Sequence, residues 1–257
     1  MKIKNYNDIF SLKNKVVIVT GAGRGIGLHL AEKMAECNAQ VFSIDKKFSK
    51  KPITNLSQLK CDITNQNDFK KICKEIFKQK KSIDVLVNNA GISLIEKKSG
   101  SDYMKKNWDQ TLRNNLTSHF TCSSEVIRYM KKQKSGSIIN ITSINAELGF
   151  PRNPSYVASK GGLKMLGKAL AKDWGNFGIR VNNLGPGYIK TDMTLKTFSN
   201  KKSRENRKMH TMLGRWGEKD DLVGPCIFLA SDASNYITGQ DLYVDGGWIA
   251  NSLIGNY

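Results

Sequence analysis

The first strand, turn and helix constrain the fold of this chain more than any other stretch. Four consecutive apolar residues at positions 16–19 are typical of a buried strand. A glycine-rich turn at positions 20–27 follows at once and leads into apolar residues at helical spacing through position 35. Glycines allow the tight turn and let a phosphate approach free amides at the positive end of the helix. The unit therefore predicts a dinucleotide site at the edge of a parallel α/β sheet.

A carboxylate follows the second predicted strand and bears on cofactor choice. The strand covers positions 39–44 and ends at Asp45, about twenty residues beyond the glycine turn. A carboxylate there can accept hydrogen bonds from an adenosine ribose and repels a 2′-phosphate, which favours NAD over NADP. Arg24, Lys46 and Lys47 are competing cations that could pair with that phosphate. We therefore expect NAD to be the preferred cofactor and NADP to be less favoured.

Three polar side chains predict acid/base chemistry. Tyr156 and Lys160 are four residues apart, so on a helix they lie on one face, one turn apart. A fixed cation beside a phenol lowers its pKa from about 10 and lets it exchange protons with an alcohol or ketone. Ser143, upstream, adds a hydroxyl that can meet the same carbonyl oxygen. Each of these residues alone is also compatible with an ordinary surface pair or turn cap.

With these motifs in place, the chain resembles the short-chain dehydrogenase/reductase family, in its single-domain branch, over residues 12–247. The resemblance includes the glycine turn, the segments at 61–64 and 88–91, Asn115 in the segment 108–116, the strand before Ser143, and the closing motif at 244–247. It implies one Rossmann-type, doubly wound α/β domain over residues 1–257, with a parallel sheet of about seven strands. It also implies an NAD(P)-dependent enzyme that interconverts a secondary alcohol and a ketone.

The resemblance assigns a catalytic tetrad of Asn115, Ser143, Tyr156 and Lys160. Ser143 would orient the substrate oxygen, Tyr156 would pass the proton, Lys160 would hold the nicotinamide ribose and lower the tyrosine pKa, and Asn115 would fix a relay water. The expected cofactor contacts are Gly21, Arg24, Gly25, Ile26, Gly27, Asp45, Asp62, Ile63, Asn89, Ala90, Gly91, Tyr156, Lys160, Pro186, Gly187, Ile189 and Thr191.

One stretch departs from the family pattern. Only sixteen residues separate Asp45 from Asp62, and Pro52 interrupts them. Proline breaks a helix and disfavours helical backbone in the residue before it. We therefore expect the helix that usually joins the second and third strands to be very short or absent.

Composition limits the other function classes. The 257 residues contain five scattered cysteines without a C-x-x-C pair, which is typical of reduced thiols and of a cytoplasmic protein. The three histidines have no metal-ligand spacing, and no apolar stretch approaches the length of a membrane span, so we expect neither a metal site nor a membrane partner. The net charge of +19 comes mostly from dispersed lysines, which favours a solvated surface over specific nucleic-acid binding.

Substrate identity is less constrained. The segment 192–215, here called the lid segment because the resemblance places a mobile substrate lid there, carries seven Lys or Arg against two acids. Such a lid suits an anionic substrate, and it is equally compatible with the lysine bias found in the rest of the chain. The residues after Ser143 and Pro186 are similar to those of family members that oxidise sugar acids or polyols, including gluconate 5-dehydrogenases, and make Asn145, Glu147 and Tyr188 candidate substrate contacts. A 3-oxoacyl-carrier-protein reductase, and a non-catalytic nucleotide-binding protein, are the alternatives.

Assembly follows by analogy with the same family. Amphipathic stretches at 108–132 and 154–177 are expected to pack against their copies in a dimer, and the stretch 243–253 is expected to form a second interface. The expected assembly is a homotetramer or homodimer. The same apolar faces could instead belong to the core.

Overall fold

The computed structural model describes residues 6–97 and 103–251 of the chain. Within these ranges seven strands form one sheet, with the order β3-β2-β1-β4-β5-β6-β7, and every neighbouring pair is parallel. The strands are β1 (Val16–Thr20), β2 (Gln40–Asp45), β3 (Leu56–Lys60), β4 (Val85–Asn88), β5 (Gly136–Ile141), β6 (Ile179–Pro186) and β7 (Asp241–Val244). The predicted α/β fold with a seven-stranded parallel sheet is confirmed.

Helices cover both faces of this sheet. They are α1 (Gly25–Glu36), α2 (Gln66–Lys80), α3 (Lys105–Leu112), α4 (Ser118–Gln133), α5 (Pro154–Trp174), α6 (Leu195–Ser199), α7 (Lys201–His210) and α8 (Val223–Ala230). Helices α1 and α8 pack on one face, and α2, α4 and α5 pack on the other. A π-helical turn, Arg113–Thr117, joins α3 to α4.

The alternation of strand side chains divides the core into two layers. In β1, Val17 and Val19 join the layer under α1 and α8, whereas Val16 and Ile18 join the layer under α2, α4 and α5. Since both faces are covered, the whole strand is buried, which explains why its sequence is a continuous apolar run. Burying one side chain such as Ile18 contributes about 1.5–3 kcal/mol.

The connection between β2 and β3 contains no helix, as the spacing and Pro52 predicted. The chain instead crosses as a loop, and Asn55 adopts a left-handed conformation with φ 63° just before β3 begins. Among the described residues, no helix combines the length and apolarity that crossing a bilayer requires.

The strand order reverses between β1 and β4, which lead to opposite halves of the sheet. Loops leave in opposite directions at such a point and open a crevice at the carboxyl ends of the strands. The glycine turn after β1 and the segment 88–91 after β4 both border this crevice. The fold therefore brings the predicted cofactor residues to one edge of the sheet.

Candidate active site

The glycine turn after β1 is packed against the segment that follows β4. Gly21 has φ +64°, and a Cβ at this position would lie 2.5 Å from the Cα of Ala90, so only glycine fits. The Asn89 side chain donates hydrogen bonds from Nδ2 to the carbonyl oxygens of Thr20 and Gly21, at 3.0 Å each. These contacts fix the two loops that face the crevice.

The amino terminus of α1 has the character of a phosphate site. Arg24 precedes the helix in extended conformation and provides no side-chain cap, whereas Asn65 caps α2 by accepting from the amide of Asp68. At Gly25, with φ +62°, a Cβ would meet no atom within 4 Å, so the turn is open above the helix. The first amides of an uncapped helix and its positive dipole end suit a pyrophosphate.

Asp45 lies beside this turn at the end of β2. Its Oδ2 accepts from the Gly23 amide at 2.9 Å, and its Oδ1 accepts from the Lys47 amide at 3.2 Å. Nearby, Lys46 pairs with Asp62 at 2.7 Å. Lys46 is thus engaged with a carboxylate, while Arg24 and Lys47 are exposed and form no salt bridge within residues 6–97 and 103–251.

Asp62 and Ile63 form the next part of the predicted adenosine wall. Asp62 Oδ1 accepts from the Thr64 amide and hydroxyl, at 3.0 and 2.8 Å. Burial alone would raise the pKa of Asp62, but the hydrogen bonds from Lys46 and Thr64 together lower it. Ile63 is buried against the α2 layer. The Asp62 carboxylate is therefore ionised and fixed by its hydrogen bonds to Lys46 and Thr64. Its side chain stays partly exposed at the crevice.

Asn115 lies in the π-helical turn and is fully buried. Its Oδ1 accepts from the Ile92 amide at 2.8 Å, and its Nδ2 donates to the Ile92 carbonyl at 2.8 Å and to Ser159 Oγ at 3.1 Å. π-helical turns are rare and occur frequently at functional sites. The turn places the Asn115 side-chain amide between the loop after β4 and helix α5. This amide links the two segments, both of which were predicted to belong to the site.

Tyr156 and Lys160 lie one turn apart on α5, as their spacing predicted. The Lys160 Nζ is 5.7 Å from the centre of the Tyr156 ring and donates to the Ile141 carbonyl at 2.6 Å. A Cβ built on Gly91 would lie 3.8 Å from that Nζ and 3.5 Å from Asn115 Oδ1. The ends of β4, β5 and the first turns of α5 therefore meet at one point.

Ser143 stands directly after β5 and faces Tyr156. Its Oγ accepts from the Asn145 amide at 3.2 Å and donates to Asn145 Oδ1 at 3.3 Å. The hydroxyl thus caps the short 3-10 turn Ile144–Ala146. It also favours a lower pKa of the Tyr156 phenol. A structural cap and a substrate contact are compatible here, since a hydroxyl has two acceptor sites.

The pKa of Tyr156 corrects one expectation. Burial raises it above the ordinary value of a phenol; hydrogen bonding with Ser143 opposes this rise, and the neighbouring Tyr188 phenol adds to it. Burial also lowers the pKa of Lys160, to about 8. Within residues 6–97 and 103–251 the expected lowering of the tyrosine pKa by Lys160 is therefore not found, because burial of the phenol has the largest effect on this pKa.

The segment after β6 continues along the same edge. Pro186 and Ile189 are buried, and a Cβ on Gly187 would lie 2.7 Å from the Cα of Asp245. The Thr191 amide donates to Thr194 Oγ1 at 3.0 Å, and that hydroxyl donates to the Ile189 carbonyl at 2.6 Å. The segment after β6 is therefore closely packed against Asp245 and hydrogen-bonded within itself, and it leads directly into the lid segment.

The three candidate substrate residues have different environments. Asn145 contacts Ser143, and Tyr188 follows the end of β6, the strand next to β5. Glu147 is exposed and binds Lys164 of α5, and it also accepts from Tyr243 of β7 at 2.6 Å. A substrate contact by Glu147 stays a prediction, and it would compete with both of these partners.

Comparison with known proteins identifies the fold family. A family model described as Enoyl-(Acyl carrier protein) reductase matches residues 21–249. The chain is also 36% identical over 252 residues to the gluconate 5-dehydrogenase of Gluconobacter oxydans, covering 95% of this chain and 98% of that protein. This chain is a short-chain dehydrogenase/reductase. As a member of this family it is an oxidoreductase that interconverts secondary alcohols and ketones with a nicotinamide cofactor.

Other family members show the breadth of this similarity. The chain is 38% identical over 250 residues to a 3-oxoacyl-[acyl-carrier-protein] reductase of Chlamydia pneumoniae, covering 92% of this chain and 98% of that one. A gluconate 5-dehydrogenase of Burkholderia cenocepacia, solved in complex with NADP and tartrate, superposes with a TM-score of 0.90 at 32% identity, covering 96% of this chain and all of that one.

Two buried residues of the dehydrogenase site were not predicted. Ser159 Oγ accepts from Asn115 and donates to the Tyr156 carbonyl at 2.8 Å, and it links two tetrad members. His119 contacts the Ala90 carbonyl through Nε2 at 2.7 Å, and burial lowers its pKa to about 3, with a further contribution from Lys160. The position of Ser159 beside Lys160 was a usable signal, whereas His119 becomes a neighbour only through the packing of α4.

Proposed function

We propose that the enzyme oxidises or reduces a secondary carbon of a sugar acid or polyol, with Tyr156 as the proton-transfer group. The observation that carries this proposal is the convergence of Ser143, Tyr156 and Lys160 where β5 ends and α5 begins. Similarity to gluconate 5-dehydrogenases, one of which binds tartrate, supports an acidic polyhydroxy substrate.

Side chains of this enzyme transfer the proton of the proposed reaction. The Ser143 hydroxyl turns from Asn145 Oδ1 to donate its one hydrogen to the substrate oxygen, and it holds that oxygen beside the phenol. In oxidation the alcohol loses its hydroxyl proton to the Tyr156 phenolate and a hydride from carbon, which leaves a ketone. When bound, an oxidised nicotinamide would accept this hydride and would add a positive charge to the site. Because burial raises the pKa of Tyr156, that charge and the Lys160 ammonium are both required to favour the phenolate.

Asn115 acts chiefly as a positioning residue in this proposal. Both amide hydrogens and the oxygen of its side chain are already engaged by Ile92 and Ser159. A relay water next to Lys160 would therefore be held by backbone carbonyls of the π-helical turn, whose wider spacing displaces them from the usual helical bonds. The Asn115 side chain fixes the positions of the π-helical turn, the loop after β4 and helix α5 relative to one another.

We propose NAD as the preferred cofactor on the basis of Asp45. Its carboxylate borders the glycine turn, where it can accept from ribose hydroxyls and repel a 2′-phosphate. Lys46, one of the competing cations, is paired with Asp62. The opposing consideration is the NADP bound to the Burkholderia cenocepacia structure, together with the exposed Arg24 and Lys47.

A 3-oxoacyl thioester is the second candidate substrate. The lid segment exposes five large apolar side chains that an acyl chain could contact: Met193, Leu195, Met209, Met212 and Leu213. Similarity to the reductase of Chlamydia pneumoniae also fits this candidate. The sugar acid is favoured because the catalytic end of the site is polar and contains Asn145 beside Ser143.

A dehydrogenase screen tests the proposal. The enzyme is assayed by nicotinamide absorbance with NAD and NADP against D-gluconate, other sugar acids, alditols and 3-oxoacyl thioesters. We expect the highest kcat/KM with a sugar acid and NAD. Preference for a 3-oxoacyl thioester by tenfold or more would replace the proposed substrate, and absence of turnover with every compound would contradict the function.

We further propose one catalytic domain that assembles as a homodimer or homotetramer. Trp108, Phe120 and Met165 expose apolar surface on α3, α4 and α5, the helices expected to pack against their copies. Positions 252 and 253 of the second expected interface lie outside the described residues. Five unpaired thiols, four of them buried, support a reducing, cytoplasmic location. Light scattering of the purified enzyme measures the assembly directly.

A further inference from the structure

The lid segment directs one arginine inward. Arg207 lies on α7, and its guanidinium carbon is 5.1 Å from the centre of the Tyr188 ring. Tyr188 follows β6 and is held between Trp216 and Trp248, whose rings lie 5.4 and 4.8 Å from its own. The arginine therefore rests on a rigid aromatic platform at the edge of the catalytic site.

The charge of Arg207 has no acidic partner in the part of the chain that the structure describes. Its Nε is buried and without a hydrogen-bond partner there. Of the six other cations of the lid segment, three are paired: Arg204 and Lys208 contact Glu205 at 3.4 and 4.0 Å, and Arg215 binds Asp221 at 2.7 Å. The remaining three, Lys196, Lys201 and Lys202, are exposed to solvent. A partly buried guanidinium without a carboxylate is costly, and an incoming anion would relieve that cost.

Tyr188 connects Arg207 with the catalytic group. Burial raises the pKa of Tyr188, and the charge of the nearby Arg207 guanidinium opposes this rise. Tyr188 lies at the same edge of the sheet as Ser143, because β5 and β6 pair with Ile141 opposite Leu184, and Ser143 and Tyr188 follow these residues by two and four positions. Arg207 and Tyr188 therefore lie on the lid side of this edge, where the far end of a small substrate held at Tyr156 would reach.

We propose that Arg207, supported on Tyr188, is a specificity-determining residue that binds the carboxylate of the substrate. The proposal rests on the proposed function and assigns its anionic group to one side chain. A guanidinium can donate two parallel hydrogen bonds to a carboxylate, and stacking on the ring restricts its motion before the substrate arrives. Nothing in this role requires the exposed lysines of the same helix.

Arg204 provides a matched control for a purely structural role. It lies three residues earlier on α7, and its guanidinium carbon is 5.6 Å from the centre of the Phe198 ring. Both arginines therefore cover an aromatic ring of the lid, but Arg204 is already paired with Glu205. Loss of packing should affect both variants alike, whereas loss of an anion contact should affect only one.

The test combines kinetics with binding. Wild type, Arg207→Gln, Arg207→Lys and Arg204→Gln are assayed with D-gluconate and with uncharged D-sorbitol, and binding of gluconate and tartrate to the enzyme with its cofactor is measured by calorimetry. We expect Arg207→Gln to raise KM and Kd for gluconate by about 10- to 100-fold, as for loss of a charged hydrogen bond. KM for sorbitol should change at least tenfold less, and Arg207→Lys should restore part of the binding.

Each outcome separates this inference from the proposed function. If sugar acids are oxidised but Arg207→Gln and Arg204→Gln have equal effects, the inference is wrong and the function stands. If no sugar acid or alditol is oxidised, the proposed function fails, and calorimetry still decides: weaker binding of gluconate and tartrate in Arg207→Gln alone supports the anion site. Absence of anion binding by the wild type overturns it. Unchanged affinity for the cofactor verifies that each variant is folded.

Discussion

The wall of the site and its lid are built in different ways. The wall, defined here as the ends of β4 and β5 with the first turns of α5 and the adjoining π-helical turn, buries polar side chains that are hydrogen-bonded: Asn115 donates to Ser159, and Lys160 donates to the Ile141 carbonyl. The lid segment instead rests on stacked aromatic rings and exposes side chains such as Met209 and Leu213. A wall held by short, buried bonds can fix the reacting geometry, while a loosely buried lid can open and vary. We infer that the wall sets the reaction and the lid sets the substrate.

The largest expected effect on turnover comes from a substitution in the wall. Tyr156→Phe removes the proton-transfer hydroxyl and should lower kcat by about 10²- to 10⁴-fold while cofactor affinity stays nearly constant. Steady-state kinetics and cofactor fluorescence titration measure the two quantities. Retention of more than about half of the wild-type turnover would remove Tyr156 from its role.

A second prediction concerns the buried charge of Lys160. Its pKa is about 8 in the folded protein and near 10.4 when unfolded, so the folded state binds fewer protons between these values. Stability conferred by this site should therefore rise with pH from about 8 to about 10.5, by roughly 2–4 kcal/mol.

Lys160→Met provides the reference for that measurement, because it lacks the titrating group. Urea unfolding of both proteins is compared across the alkaline range. The free energy of unfolding of the wild type should increase relative to the variant. Parallel curves would show that Lys160 titrates normally and is not desolvated.

The third prediction concerns the adenosine end of the cofactor site, where Asp45 ends β2 outside the wall. Asp45→Asn keeps a hydrogen-bond acceptor but removes the negative charge, whereas Asp45→Ala also removes the bond to the Gly23 amide. Both variants should shift the ratio of kcat/KM for NAD over NADP by at least about tenfold towards NADP, or about 1.4 kcal/mol. Only Asp45→Ala should also weaken binding of both cofactors. A wild type that already prefers NADP would contradict the role of Asp45.

The smallest effect is expected at the outer face of the lid. Lys201 and Lys202 are exposed and form no salt bridge with any residue in ranges 6–97 and 103–251. Changing both to Gln should alter KM for a sugar acid by no more than about threefold, and 0.5 M salt should abolish the difference, because exposed charges are screened. A change as large as that of Arg207→Gln would show that diffuse lid charge attracts the substrate.

The difference between the wall and the lid segment explains which parts of the site could be predicted from the sequence. The wall was predictable because each residue stands at a fixed distance from a strand end or along a helix, as Ser143 follows β5 and Lys160 follows Tyr156 by one turn. The pKa of Tyr156 was not, since desolvation depends on every group packed around the phenol. The lid showed only its net charge in sequence. Which cation points inward depends on how α7 rotates on the rings of Tyr188 and Phe198.

The most direct test of this division is the selectivity of the enzyme for a sugar acid over its alditol, expressed as a ratio of kcat/KM values. The ratio is measured for wild type, for Ser143→Ala in the wall, and for Arg207→Gln in the lid. We predict that Ser143→Ala lowers both kcat/KM values by a similar factor and leaves the ratio within about threefold, while Arg207→Gln lowers the ratio by about tenfold or more. A ratio that falls equally in both variants would contradict the claim that wall and lid have separate roles.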